Sequence, residues 1–233
     1  FPIKTEKMIK ITYHGHSAFE IITGDHSILI DPFFTHNKNA KVKPADVKAD
    51  YIILSHAHGD HIGDTMEIAK NNDATIIAVH ELSEYMISKG YKSHGMGIGG
   101  QREFPCGKVK LTIAHHSSSL ESENLYMGEP AGIILTIGDK TIYHSGDTGL
   151  FLDMKLIGEM HNIDLALLPI GDNYTMGIDD AVKAVEFLNC KTAVPMHYGT
   201  FDVIDTNPEE FKRKVESIGK KCVIMPYGEA IEI

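Results

Sequence analysis

Apolar and β-branched residues recur along this chain in short runs, which is the pattern of β-strands. The runs lie at residues 9–14, 18–22, 27–31, 51–55, 75–79, 109–115, 131–137, 140–145, 164–170, 192–196 and 221–226. Apolar positions with helical spacing lie at 64–72, 81–90, 179–189 and 208–219. Gly90 and Gly219 close two of these segments and Pro208 opens one, as is typical of helix ends.

The order of strands and helices in the first part of the chain is loosely repeated in the second. This predicts an α+β fold in which two sheets face each other with helices outside, a four-layer αββα sandwich. No linker divides the chain, so we expect one domain over residues 8–233. Residues 1–7, before Met8, have the character of a cloning remnant. The glycine-rich stretch 95–100 lacks the lysine and helix of a phosphate loop and is expected to be a turn.

Composition and charge exclude some classes of protein but do not identify a reaction. The net charge of −10 and the lack of a basic stripe argue against nucleic acid as the main partner. No apolar run approaches the ~18 residues of a membrane span, and we see no signal peptide, which predicts a cytoplasmic protein without a membrane partner. Three scattered cysteines fit a reducing compartment. Association of the chain into a homo-oligomer is left open.

Four side chains able to bind a metal ion crowd into six consecutive positions, 56–61, of the stretch SHAHGDHIGD (55–64). They follow a predicted buried strand, in a segment where residues two apart point the same way, so His56 and His58 can converge on one ion. Gly59 permits a turn, after which Asp60 and His61 present a second pair. The motif therefore predicts two ions bound side by side.

Further ligands follow other predicted strands. His115 and His116 follow one strand, Asp147 follows another and His197 follows a third. A carboxylate can bridge two cations that lie about 3.5–4 Å apart, a role that Asp147 can fill. With Asp147 shared, we expect the first ion to be held by His56, His58 and one of the two adjacent histidines. The second ion would then be held by Asp60, His61 and His197.

With these motifs the chain resembles the metallo-β-lactamase superfamily over essentially all of residues 8–233. It most resembles a family of small metal-dependent hydrolases related to ascorbate-6-phosphate lactonase. The segments that carry the likeness are TYHGHSAFEI (12–21), SHAHGDHIGDT (55–65), HGMGIGG (94–100), HSSS (116–119), IYHSGDT (142–148), LPIGDNYTMG (168–177) and PMHYGTF (195–201). The resemblance implies an αββα fold, a dinuclear metal site and hydrolytic activity.

The resemblance also implies roles for single residues. It makes His116, which directly precedes SSS, the ligand, and it makes His115 a residue that points away. Asp31 matches the first motif of the superfamily, whose aspartate typically hydrogen-bonds the ligand loop. His16 is expected to touch the substrate or a ligand. The candidate catalytic residues are therefore Asp60, His16 and Asp31.

Two further histidines, His14 and His94, lie in the same motifs and are weaker candidates. The chain departs from the family pattern at Gly97, where asparagine is expected. The segments 172–177 and 197–201 are candidate walls of the substrate pocket, with Tyr174, Thr175, Met176 and Tyr198 shaping it.

The expected chemistry follows from two divalent ions. Three imidazoles and a shared carboxylate suit zinc first and manganese next, and nickel or iron accept the same ligands. Such ions lower the pKa of bound water to about 7, which supplies a hydroxide nucleophile at neutral pH. Asp60 would orient this nucleophile and carry its proton. Because the ions outweigh the charges of Asp60 and Asp147, we expect a small anionic or carbonyl substrate of the lactone or phosphoester class.

Other functions share this ligand set. The main alternative is an RNA-processing nuclease or phosphodiesterase, which the acidic charge and the short span between Asp147 and His197 disfavour. Di-iron proteins that reduce oxygen or nitric oxide usually have glutamate where His58 stands, and secreted β-lactamases often have cysteine where Asp147 stands. A metal-binding protein without catalysis is disfavoured because the open cluster is complete.

Overall fold

Two seven-stranded sheets form the centre of the computed structural model, which describes residues 8–24 and 26–233. The expected remnant at 1–7 lies outside the described residues. The strands of the first sheet are β1 (Ile9–Tyr13), β2 (Phe19–Thr23), β3 (His26–Ile30), β4 (Tyr51–Ile53), β5 (Thr75–Val79), β6 (Ser93–Met96) and the C-terminal strand β16 (Ala230–Glu232). Their spatial order is β16-β1-β2-β3-β4-β5-β6.

The second sheet repeats this arrangement. Its strands are β7 (Gln101–Phe104), β8 (Gly107–Ile113), β11 (Ala131–Ile137), β12 (Lys140–His144), β13 (Leu165–Pro169), β14 (Thr192–Met196) and β15 (Lys221–Cys222). Their spatial order is β15-β14-β13-β12-β11-β8-β7. In both sheets, antiparallel neighbours occupy one side and parallel neighbours the other. A separate short hairpin joins β9 (Ser119–Leu120) to β10 (Leu125–Tyr126).

Helices cover the outer faces of the two sheets, and the shortest α-helix, Gly59–Ile62, lies at their shared edge. They are α1 (Gly59–Ile62), α2 (Thr65–Asn72), α3 (His80–Ser88), α4 (Asp153–Met160), α5 (Ile178–Leu188) and α6 (Pro208–Ser217). Helix α3 packs against β5 and β6, whereas α5 packs against β13 and α6 against β14 and β15. One buried hydrophobic cluster includes residues of both sheets. The four-layer αββα sandwich is therefore confirmed, while the boundaries of a single domain at 8–233 stay a prediction.

Helix ends follow the local chemistry of the sequence. At the start of α6, the Asn207 side chain accepts a hydrogen bond from the Glu209 backbone N–H at 3.0 Å, and Pro208 occupies the first helical position. After its end, Gly219 has a φ of +76°, a conformation that glycine adopts without strain. Among the described residues, no helix is long and apolar enough to cross a membrane.

Several elements differ from the prediction. Helix α4 was not predicted because Leu156 and Met160 remain exposed, so its apolar positions do not all face the core. The prediction also missed β6, β7, the hairpin β9–β10 and β16; β7 carries mostly exposed polar residues without alternation. The strand predicted at 221–226 is only two residues long. The turn expected at 95–100 is shorter, because its first two residues belong to β6 and Gly100 N–H bonds to the Gly97 carbonyl.

The topology brings the ends of several strands to one edge. Strands β1, β3 and β4 run in the same direction in the first sheet, and β8, β12 and β14 do so in the second. The residues that follow these strands are therefore close in space although they are far apart in sequence. Ligands in open α/β sheets commonly bind at such an edge, outside the carboxyl ends of strands.

Gly63 holds the loop after α1 against the loop after β3. Its φ is +46°, and a Cβ atom there would lie 2.5 Å from the Pro32 carbonyl oxygen and 2.6 Å from Phe33 Cα. We expect Gly63→Ala to lower the free energy of unfolding by about 2 kcal/mol or more, because both the backbone conformation and the space favour glycine. Urea unfolding measures this change.

The matched control is Gly97→Ala, since Gly97 has no positive φ and no atom within 4 Å of an added Cβ. Its unfolding midpoint should stay close to that of the parent protein. Equal losses in the two variants, or no loss in Gly63→Ala, would contradict the role given to Gly63.

Candidate metal centre

The predicted metal ligands come together at the shared edge of the two sheets. The segment from His56 to His61 follows β4, and its last three residues lie in α1. From the second sheet, His116 follows β8, Asp147 follows β12 and His197 follows β14. Residues from His56 to His197, far apart in sequence, therefore form one cluster.

His56, His58 and His116 form the first group of the cluster. One ligand atom from each lies within 4.8 Å of the others. His56 Nε2 lies 2.9 Å from His58 Nδ1, and the ring of His116 is 5.1 Å from that of His56 and 5.0 Å from that of His58. This is the set that the sequence assigned to the first ion.

Asp60, His61 and His197 form the second group, together with His16. Again one ligand atom from each residue lies within 4.8 Å of the others. His61 and His197 are buried, whereas Asp60 retains about a third of its side-chain surface (31%) and faces solvent. The sequence assigned three of these residues to the second ion and did not include His16 among the ligands.

Asp147 lies between the two groups. Its Oδ2 atom is 2.9 Å from His197 Nε2, 3.3 Å from His61 Nε2 and 3.7 Å from His116 Nε2. The side chain is 3% exposed, and its Oδ1 atom has no hydrogen-bond partner in the part of the chain that the structure describes. One carboxylate thus contacts both groups and retains an oxygen for a further ligand.

Asp31 orients one histidine of each group. Its Oδ2 atom is 2.7 Å from His61 Nδ1 and accepts a hydrogen bond from the Ser55 hydroxyl at 2.5 Å. The Ser55 hydroxyl is in turn 2.9 Å from His56 Nδ1. These contacts direct the Nε2 atoms of both histidines into the cluster. Ser55 was not singled out from the sequence, although it directly precedes the ligand motif.

His16 lies behind Asp60 and is completely buried. Its Nε2 atom is 3.1 Å from Asp60 Oδ2 and its Nδ1 atom is 3.1 Å from the Thr200 hydroxyl. Burial lowers the pKa of His16 to about 4, so the ring is neutral at neutral pH and carries one N–H. The tautomer that satisfies both contacts donates from Nε2 to Asp60 and accepts from Thr200.

Burial and contacts within the cluster shift the pKa values of its own residues. Burial and the neighbouring His61 hold the pKa of His56 well below its usual value. Burial alone would lower the pKa of His61, but the carboxylates of Asp147 and Asp31 outweigh it and raise that pKa well above normal. Burial would raise the pKa of Asp147, and His197 and His61 reverse this effect and lower it. Paired groups of opposite charge therefore replace solvent around this carboxylate.

The donor set fits bound cations. Because Ser55 and Asp31 occupy the Nδ1 atoms of His56 and His61, the Nε2 lone pairs of both rings face the cluster. His58 presents Nδ1 instead, since its Nε2 lies 3.4 Å from the Ser117 hydroxyl. Buried lone pairs and carboxylate oxygens that converge in this way are the surroundings that a divalent ion requires.

The remaining candidate histidines lie outside both groups. His115 is exposed and its ring is 4.9 Å from that of Phe151. His14 is buried with Nε2 3.7 Å from a Glu20 carboxylate oxygen. His94 lies on β6, with its ring 5.3 Å from that of Phe104.

A cavity of about 480 Å³ opens onto the cluster. Its floor is formed by the cluster residues His58, Asp60, His116, Asp147 and His197. Its walls are formed by Ser117, Glu121, Tyr174, Phe201 and Val203. Of the individually predicted wall residues, only Tyr174 lines the cavity, whereas Met176 and Tyr198 are buried. Asp31 and His16 do not line it, so both would act through the residues they contact.

Known proteins resemble this chain over nearly its whole length. A family model described as the beta-lactamase superfamily domain matches residues 26–198. The UPF0173 metal-dependent hydrolase YtkL of Bacillus subtilis is 54% identical over 97% of this chain and 100% of its own length. A UPF0173 metal-dependent hydrolase of Bacillus cereus is 52% identical over 97% and 100%. The solved structure of Igni18, a metallo hydrolase from Ignicoccus hospitalis, has a TM-score of 0.90 at 39% identity and covers 97% of this chain and 98% of its own.

The fold and these likenesses define an enzyme of the metallo-β-lactamase superfamily, a metal-dependent hydrolase. Within that superfamily, the chain belongs to the UPF0173 metal-dependent hydrolases.

Asp31→Asn tests the orientation of both groups. We expect it to weaken binding of both ions by about 10- to 100-fold, because a neutral amide supports His61 and Ser55 less well than a carboxylate. Ser55→Ala should weaken only the site that contains His56. Titration of the metal-free protein with zinc against a competing chelator measures both affinities.

A second buried carboxylate provides the control. Asp164 accepts hydrogen bonds from the Thr141 backbone N–H and from Lys191, outside both groups. Asp164→Asn should lower stability and leave the zinc affinities unchanged. Unchanged zinc binding in Asp31→Asn would refute the orienting role.

Proposed function

We propose that this metal-dependent hydrolase cleaves small carbonyl substrates of the ester or lactone class at a site for two divalent ions. The observation that supports a paired site is the position of Asp147, whose Oδ2 atom lies 2.9–3.7 Å from imidazole nitrogens of both groups. A lone ion would need only one of these groups. A carboxylate shared between them matches the geometry of two-metal hydrolytic sites.

Each ion would be held by three residues of its own and by the shared carboxylate. His56, His58 and His116 would hold the first ion, with Asp147. The second ion would be held by Asp60, His61 and His197, with the same aspartate. Zinc is the proposed metal because imidazole nitrogen dominates this donor set, and manganese is the next candidate.

When bound, the ions supply Lewis acidity for the scissile carbonyl and make a coordinated water easier to ionise. Two side chains of the protein, His16 and Asp60, position the proton acceptor. His16 holds the Oδ2 atom of Asp60 at 3.1 Å, which leaves Oδ1 to serve the second ion and to accept a hydrogen bond from a water beside it. The contact with His16 outweighs burial and lowers the pKa of Asp60, so this carboxylate starts the cycle ionised.

The size of the cavity supports a small substrate. A volume of about 480 Å³ lies in the lower half of the range for small-molecule pockets. A nucleic acid strand needs a charged groove along its backbone, and none of the residues that line this cavity is lysine or arginine. This favours a small carbonyl compound over the nuclease alternative.

The substrate class is tested with protein loaded with zinc or manganese. A panel of esters, lactones, thioesters, phosphodiesters and short RNAs should yield turnover of carbonyl compounds and little or none of RNA. Removal of the metal with a chelator should abolish turnover, and its return should restore it. Cleavage of RNA or phosphodiesters alone would overturn the proposal.

Two adjacent histidines offer a matched pair of variants. We expect His116→Ala to lower kcat/KM for the best substrate by at least about 100-fold, because it removes a proposed ligand of the first ion. His115→Ala should stay within about twofold of the parent protein, since that ring is exposed and packs on Phe151. A loss of equal size in the two variants would contradict the ligand assignment.

A further inference from the structure

The cavity above the cluster has an acidic wall and an apolar wall. Glu121 lies on the acidic wall, with 59% of its side chain exposed. Tyr174, Phe201 and Val203 form an apolar rim, with exposures of 59%, 39% and 59%. Exposed apolar side chains that converge on a cavity are typical of a surface that contacts a ligand.

The position of Glu121 is fixed by the hairpin that carries it. The turn 121–124 joins β9 to β10, and the Asn124 N–H donates to the Glu121 carbonyl. Glu123, in the same turn, accepts hydrogen bonds from the Tyr85 hydroxyl at 2.6 Å and from Lys89 at 3.3 Å. The hairpin is therefore tied to α3 and its end, and Glu121 is held at the mouth of the cavity.

Glu121 faces the cluster without a cationic side chain beside it in the cavity lining. Its Oε1 atom is 3.6 Å from His58 Nε2, but the Ser117 hydroxyl lies nearer to that nitrogen, at 3.4 Å. None of the residues that line the cavity is lysine or arginine. The Glu121 carboxylate is therefore available to a ligand that occupies the cavity.

This arrangement discriminates between ligands by charge. A carboxylate at the mouth repels an anionic substituent and attracts a cationic one, most strongly at low ionic strength. The aromatic faces of Tyr174 and Phe201 favour apolar groups and also attract cations. Both walls thus disfavour phosphate and carboxylate substituents on the part of the substrate that does not react.

We propose that Glu121 and the apolar rim select acyl substrates whose non-reacting part is apolar and either uncharged or positively charged. This inference rests on the proposed ester or lactone hydrolysis and names the substrate class for it. The reacting carbonyl would lie on the cluster, and the remainder of the substrate would lie between Glu121 and the rim.

The test uses three 4-nitrophenyl esters with the same acyl chain, which ends in methyl, trimethylammonium or carboxylate. For the zinc-loaded parent protein we expect the highest kcat/KM with the cationic ester and the lowest with the anionic one. Glu121→Gln should reduce the cationic-to-anionic ratio of kcat/KM by about tenfold, and Glu121→Lys should reduce it further. Glutamine has nearly the same size and shape as glutamate, so this variant removes the charge and preserves the packing near His58.

Glu123→Gln is the matched control on the same hairpin. It should change the three rates by a common factor, because Glu123 contacts Tyr85 and Lys89 rather than the cavity. An unchanged cationic-to-anionic ratio in Glu121→Gln would overturn the inference. A common loss for all three esters with weaker zinc binding would also overturn it, because Glu121 would then only support His58.

A binding measurement separates this inference from the proposed hydrolysis. If the zinc-loaded parent protein cleaves none of the three esters, ester hydrolysis fails for these substrates. The inference is then measured from the Kd values of three hydroxamates with the same three chain ends. A cationic-to-anionic affinity ratio that falls about tenfold in Glu121→Gln supports it, and an unchanged ratio overturns it.

Discussion

The contact of one buried carboxylate with three imidazoles is the interaction on which the candidate site depends. Asp147 comes from the second sheet, and its Oδ2 atom contacts His61 from the first sheet as well as His116 and His197 from the second. A buried carboxylate is costly unless charge or hydrogen bonds surround it. The histidines meet this requirement, and in doing so they join the two halves of the sandwich at the edge that carries the candidate metal centre.

Three residues around the cluster adopt strained backbone conformations. His16, Asp31 and His197 follow three different strands, and their φ angles are +56°, +47° and +54°. Such values are uncommon for residues other than glycine and cost about 1 kcal/mol or more each. The sandwich, with its large shared core, supplies the stability that tolerates these conformations. Rigid strands thereby place the side chains, while the loops after them give the turns that direct the side chains inward.

The fold class and most of the strands were predictable because short runs of β-branched residues indicate strands, and glycine or proline at the right spacing indicates the ends of helices. Helix α4 was not, since Leu156 and Met160 place apolar residues on its exposed face, and strand β7 was not, since none of its residues is buried. The grouping of His56, His58, Asp60 and His61 followed from their spacing, and the structure brings them together. Spacing alone did not distinguish His115 from His116, which required the family resemblance.

The parts of the site that escaped prediction depend on contacts between distant segments. Ser55 connects Asp31 to His56, and Thr200 holds His16; both lie within the quoted motifs, but the sequence assigned neither a role. Phe201 lies in the predicted wall segment 197–201, whereas Glu121 and Val203 reach the cavity from segments whose paths are set by the fold. Loop residues of this kind determine the substrate, which is why sequence motifs identify the chemistry of the cluster better than its ligand.

The proposed sharing of Asp147 between two metal ions can be measured directly. Anomalous diffraction from crystals grown with zinc, recorded on both sides of the zinc absorption edge, tests it directly. We predict two peaks about 3.5–4 Å apart, one beside His56, His58 and His116 and the other beside Asp60, His61 and His197, with Asp147 in contact with both. A single peak at full zinc saturation, or two peaks of which only one contacts Asp147, would contradict the account.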